Sequence, residues 1–141
     1  MQPDENKTVV RRFLEEVFTG GNLELADEIF APNYVLHDPS VPQGARGPEG
    51  MKQYVAMYRS AYPDTRFTVE DQIAEGDRVV TRWAANGTQR GELMGIPPTG
   101  MPVTISGIEV DRIGDGRIEE SWVIYDALGM MQQLGVIPVP E

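Results

Sequence analysis

Between Val103 and Gly135 the chain reads VTISGIEVDRIGDGRIEESWVIYDALGMMQQLG, and this stretch limits the possible folds most sharply. It is built as two long strands joined at Gly114-Asp115-Gly116, followed by a short helix. Strands joined by so tight a turn pair antiparallel, and successive side chains point to opposite faces. Asp126 is placed to cap the helix, which carries Leu128, Met131 and Leu134 and ends at Gly135.

The segments before it supply what this hairpin packs against. Val9, Val10, Phe13, Leu14, Val17 and Phe18 recur at three- and four-residue spacing, predicting a helix over about Asp4–Thr19 closed by Gly20-Gly21. Asn22 can cap a second helix carrying Leu25, Ala26, Ile29 and Phe30, stopped by Pro32. Tyr34–His37 is extended, and the proline-rich run Asp38–Gly47 reads as an irregular loop. Pro48 opens a third helix to about Tyr62, with Met51, Tyr54, Val55 and Tyr58 on one stripe. From Thr65 the period changes to that of strands. Arg66–Ala74 and Arg78–Ala85 flank a turn at Glu75-Gly76-Asp77, and the second strand continues through a bend at Asn86-Gly87 to Leu93. Helices grouped before strands predict one α+β domain over residues 1–141, with ends at 1–4 and 138–141 left flexible. Its antiparallel sheet is curved, helices cover the concave side, and the resulting cone is a natural small-molecule pocket.

Composition removes several functional classes. With 22 acidic against 12 basic residues and a formal charge of −10, the chain lacks the clustered cations that nucleic acid or an anionic membrane requires. No cysteine is present, so disulfides, thiolate metal sites and cysteine nucleophiles are excluded. The polar, acidic start and the lack of a long apolar run predict a cytoplasmic protein.

A set of short motifs spans nearly the whole chain in order: Gly20-Gly21-Asn22, Pro32-Asn33-Tyr34, His37-Asp38-Pro39, Gly95-Ile96-Pro97-Pro98-Thr99-Gly100, Gly114-Asp115-Gly116-Arg117-Ile118, Trp122, Asp126 and Gln133-Leu134-Gly135. Together they resemble the SnoaL-like polyketide cyclases of the nuclear transport factor 2-like superfamily. The resemblance implies a cone-shaped α+β barrel, a homodimer through the sheet, no metal and no organic cofactor. It also implies an intramolecular aldol closure in which a pocket carboxylate takes a proton from carbon between carbonyls. In those cyclases an aspartate on the last strand and a histidine on the preceding strand form the centre. Here the aspartate position falls on Val123 and the histidine position on Glu109. The limonene-epoxide hydrolases of the same superfamily use an Arg-x-Asp pair, which Arg90-Gly91-Glu92 matches with Glu for Asp.

Glu109 is the leading candidate base. Alternation sets it opposite Ile108 and Val110, on the face of Gly107. It enters the cone if Ile108 and Val110 pack into a dimer interface or a helix layer, and is exposed if they line the cone. His37, the sole histidine, is a candidate donor or loop anchor; one histidine beside Asp38 is too few ligands for zinc. Asp126 is a helix cap and a secondary catalytic candidate. Tyr54, Tyr58, Trp83, Ser121 and Val123 are candidate walls for an apolar, oxygenated small molecule. The alternative function is a binding module that lost its catalytic carboxylate at Val123.

Overall fold

The computed structural model describes residues 3–140. Helix α1 (Pro3–Arg12) runs into a π-helical segment, Phe13–Thr19, followed by a 3-10 turn at Leu23–Leu25 and a short α2 (Ala26–Ile29). Strands β1 (Phe30–Asp38) and β2 (Val41–Arg46) precede α3 (Gly47–Ala61). Four long strands then follow: β3 (Arg66–Glu75), β4 (Arg78–Thr88), β5 (Pro102–Gly114) and β6 (Arg117–Tyr125), with α4 (Ala127–Gln133) last. The six strands form one curved, unclosed sheet in the order β2-β1-β6-β5-β4-β3. The α+β class expected from the sequence is the one observed.

The β5–β6 turn is held by backbone geometry. Asp115 and Gly116 both have positive φ, 49° and 76°, as a two-residue hairpin of the primed type requires. Alternation then sorts the faces. Val79, Thr81, Trp83 and Ala85 of β4, and Val103, Ile105, Gly107, Glu109 and Asp111 of β5, all turn to the buried side. Trp83 stands opposite Gly107 in the β4–β5 register. A Cβ at Gly107 would lie 2.3 Å from the indole, so the glycine is what lets the ring lie across β5.

The helical layer closes this concave side. In the π-helical segment, the Gly20 amide donates to the Glu15 carbonyl five residues back, at 3.0 Å. The wider turn brings Phe13 and Phe18 into edge contact, with ring centroids 5.9 Å apart, and keeps Phe13, Leu14, Val17 and Phe18 all buried. Arg59 of α3 fastens its end by donating to the Phe18 and Thr19 carbonyls at 2.7 and 2.9 Å.

Four expectations change. Asp38–Gly47 is no loose loop but mostly β2, paired with β1 through Leu36↔Ala45 and Asp38↔Val41. Its Pro42 is tolerated because β2 is an edge strand, where a missing N–H leaves no ladder bond open. The second helix stops at Ile29, so Phe30 and Pro32 belong to β1. Strand β4 does pass through Asn86-Gly87 but ends at Thr88, not Leu93. There the buried Gln89 side chain takes over, donating to the Gly91 and Ile96 carbonyls and accepting from Thr99. Finally, the sheet is not wholly antiparallel, since β1 and β6 run parallel, with Leu36↔Ser121 and His37↔Trp122. Of the end segments, Met1, Gln2 and Glu141 lie outside the described residues, while Pro3 and Asp4 form the first turn of α1. Among the described residues, no helix is long and apolar enough to cross a membrane.

Candidate active site

Between the concave sheet face and the helices lies a cavity with about 660 Å³ of atom-free space, mouth included. Its walls are mostly apolar and aromatic, and its polar groups fall into two clusters. Among the described residues, no Lys, Arg or His lines it.

The first cluster sits on the sheet. Glu109 is 5% exposed and lines the cavity, while its neighbour Ile108 is 50% exposed on the outer face. The orientation left open by the sequence is therefore inward. Cross-strand from Glu109 stand Val123 on β6 and Thr81 on β4. Two residues along the same face comes Asp111, 1% exposed. Its Oδ1 accepts a short hydrogen bond from the Ser121 hydroxyl, and its Oδ2 is buried with no amide, indole or hydroxyl donor. Burial is the main cause that lifts the Glu109 pKa well above the ordinary carboxylate range, and the charge of Asp111 adds to it. Burial raises Asp111 as well, opposed by hydrogen bonds from Glu109 and Ser121. The Trp83 indole N–H favours the charged form of Glu109, yet it falls short of full hydrogen-bond geometry and has no other partner. Tyr34 of β1 completes the cluster, its phenol pKa raised by burial and then by Asp111.

The second cluster is a set of phenols on the same cavity, Tyr54 and Tyr58 from α3 and Tyr125 from β6. Tyr54 donates to Asp38 Oδ2 at 2.8 Å, and the other Asp38 oxygen accepts from the Ser40 amide at 2.8 Å. The Tyr58 and Tyr125 hydroxyls are 3.0 Å apart. One of them must donate to the other, which leaves one phenolic proton free for a ligand. Burial raises the pKa of both Tyr54 and Tyr58, so these phenols stay neutral donors at ordinary pH. Tyr62 adds a buried hydroxyl without a partner, pushed up to about 12 chiefly by burial.

The structure thus gathers Glu109, Tyr54, Tyr58, Trp83, Ser121 and Val123 on one cavity. It places two other candidates away from that cavity. His37 alternates outward from Tyr34 and Leu36, stacks on Trp122 at 5.5 Å, and meets Glu120 at 2.7 Å through Nε2. It lies outside the cavity wall. Asp126 accepts the Gly129 amide at 2.8 Å as the cap of α4 and is exposed, away from the cavity. Arg90 and Glu92 are exposed and do not touch the cavity, so the epoxide-hydrolase geometry is not formed.

A family model described as SnoaL-like polyketide cyclase matches residues 8–134. The chain belongs to that family. Its relatives include aklanonic acid methyl ester cyclase DnrD of Streptomyces peucetius, 32% identical over 94% of this chain and 93% of the relative. Nogalonic acid methyl ester cyclase of Streptomyces nogalater is 29% identical, covering 84% of this chain and 89% of its own. Among solved structures, TsrD from Streptomyces laurentii superposes with a TM-score of 0.87 at 29% identity, covering 97% of this chain and 99% of that one. IdmH, a proposed polyketide cyclase of Streptomyces antibioticus, gives 0.81 at 36% identity, over 93% and 99%. The position that the sequence resemblance assigns to the catalytic aspartate, Val123, lines the cavity beside Glu109. The residues the sequence reading missed are Asp111, Tyr34 and Tyr125. Asp111 was legible, since the alternation that turns Glu109 inward also turns the residue two further on.

Proposed function

We propose that this SnoaL-like protein closes a ring in a neutral, oxygenated polyketide-like substrate by cofactor-free acid–base chemistry, with Glu109 exchanging the proton. The observation that carries the reading is the buried carboxyl of Glu109 in the wall of a cavity that also holds a phenol pair with one proton to spare. The C–H bond between two substrate carbonyls breaks, its proton passes to the carboxyl cluster, and the electron pair becomes an enolate. The free phenolic proton of Tyr58 or Tyr125 holds the enolate oxygen. The enolate carbon then attacks a second carbonyl, the new C–C bond forms, and the resulting alkoxide takes a proton back.

The charge of the cavity supports a neutral substrate. It presents the carboxyl of Glu109, backed by Asp111, and no Lys, Arg or His among the described residues, so an ionised acid would enter against like charge. The cyclases named above act on methyl esters, in which that charge is masked. The same proposal includes cytoplasmic operation and a homodimer through the outer sheet face, where Ile73, Ile108 and Ile124 are 64%, 50% and 67% exposed. Light scattering checks the dimer.

Val123 favours a second reading, a binding module without turnover, because the cavity wall carries an apolar side chain where the sequence resemblance implies an aspartate. One assay separates the two. Aklanonic and nogalonic acid methyl esters are incubated with the protein in D₂O and followed by chromatography and mass spectrometry. The enzyme reading expects a cyclised isomer, deuterium entering during turnover, and loss of turnover in Glu109→Gln. Tight binding of both esters with no product supports the binding module instead.

A further inference from the structure

We propose that Asp111 is a positioning residue behind Glu109: the two carboxyls hold one proton between them, with the negative charge resting on Asp111 and Glu109 presenting the exchanging oxygen to the cavity. This rests on the reading of Glu109 as the proton-exchanging group. Four observations support it. Glu109 and Asp111 are alternate residues of β5 on one face, and both are buried. Ser121 donates to Asp111 Oδ1, which fixes that carboxyl as an acceptor. The second oxygen, Oδ2, is buried with no amide, indole or hydroxyl donor, a costly condition that a protonated Glu109 beside it relieves. Among the described residues, no cation lines the cavity to support two negative charges side by side.

The surroundings leave the pair to govern itself. Tyr34 faces it from β1, Ser121 from β6, and Thr81 and Trp83 from β4. The Thr81 hydroxyl is held by Gln72 of β3 at 3.2 Å. The charge that raises the Glu109 pKa, after burial, is that of Asp111.

The arrangement gives the proton a defined route. The substrate C–H proton arrives on the cavity-facing oxygen of Glu109 while the proton already on Glu109 moves to Asp111 Oδ2. The pair goes from one proton to two, its charge from −1 to 0, and the enolate carries the displaced negative charge. On ring closure Glu109 protonates the alkoxide and Asp111 returns its proton, so the starting state is restored. Asp111 touches no substrate atom in this sequence. Its contribution is to hold the charge where the cavity has no room for it.

The test follows the carboxyl ¹³C signals of protein labelled at Asp and Glu, titrated without substrate. In the unaltered protein the pair titrates in two separate steps, the upper one dominated by Glu109. In Asp111→Asn the Glu109 midpoint falls by about one pH unit or more, because a neighbouring charge is gone. Ser121→Ala, which removes the donor from Asp111, shifts the Glu109 midpoint in the same direction by less, and serves should Asp111→Asn fold poorly. In the cyclisation assay, kcat of the unaltered protein has an acid and an alkaline limb. Asp111→Asn loses the alkaline limb and keeps its KM. A Glu109 midpoint unmoved by both variants, or a profile that keeps both limbs, overturns the shared proton even with Glu109 as the base. Turnover retained in Glu109→Gln overturns the base assignment itself, while the NMR coupling is read independently.

Discussion

Gly107→Ala tests the packing that shapes the cavity. Gly107 has no positive φ, so an alanine there is opposed by space alone and not by backbone strain. The added Cβ would stand 2.3, 2.5 and 2.7 Å from Cζ2, Cη2 and Cε2 of Trp83. Ordinary contact begins at 3.4 Å, so the indole must retreat by about 1 Å. Phe67, with its ring centroid 4.9 Å from that of Trp83, blocks one side, and the cavity is the space left. Overpacking of this kind costs about 1–3 kcal/mol. For a chain of this size that lowers Tm by roughly 3–10 °C, at about 3 °C per kcal/mol. Calorimetry measures the loss, and tryptophan fluorescence reports the displaced ring. Trp83→Phe in the Gly107→Ala background restores room, so the two changes should be non-additive by about 1 kcal/mol or more. An unchanged Tm and fluorescence for Gly107→Ala, or strict additivity in the pair, would refute the assigned contact.

Three further outcomes are expected. Because Glu109 has a raised pKa when folded, the folded chain binds more protons than the unfolded one above the ordinary carboxylate range. Stability therefore falls as pH rises from the ordinary carboxylate range toward the folded value, and Glu109→Gln should flatten that decline in urea midpoints at constant m. Tyr125→Phe removes the 3.0 Å bond to Tyr58, costing about 1 kcal/mol and lowering kcat by up to about 10²-fold with little change in far-UV circular dichroism. Asp126→Ala removes the α4 cap, costing about 0.5–2 kcal/mol in thermal denaturation while leaving kcat intact, since Asp126 does not reach the cavity.

Local periodicity made most elements legible, because burying one face of each strand or helix leaves its mark every two or three to four residues. The β5–β6 hairpin, the Asp126 cap and the passage of β4 through Asn86-Gly87 all followed from that logic. Strand β2 was hidden by Pro42, which local rules assign to a loop and only the strand's edge position excuses. The parallel pairing of β1 with β6 joins residues more than eighty positions apart, and no local pattern encodes it. Within the site, Glu109 needed one fact that alternation cannot supply, namely which face of the sheet is covered. Once that is known, Asp111 follows at once. His37 misled through its chemistry: a sole histidine draws attention, but alternation from Tyr34 and Leu36 already turned it outward. Tyr125 was invisible because its partner, Tyr58, lies on α3 and only the curvature of the sheet brings them together.

The parallel seam between β1 and β6 has a consequence for folding. Strands β3 to β6 form a continuous antiparallel meander, each joined to the next in sequence, whereas β1 and β2 make a separate hairpin near the N-terminal end. The two halves meet only when β1 docks beside β6, a contact of high sequence separation and correspondingly large loop-closure entropy. Tyr34 lies on one side of that seam and Ser121, the donor that pins Asp111, on the other. The Ser121–Asp111 contact lies within the meander, whereas Tyr34 reaches the pair only through the long-range β1–β6 contact. A chain whose meander has formed but whose seam is still open has Glu109 and Asp111 on their strand without the phenol of Tyr34 over them. Arrival of the Tyr34 phenol at the pair is then a kinetic marker for closure of the whole sheet, later than any signal from the meander alone.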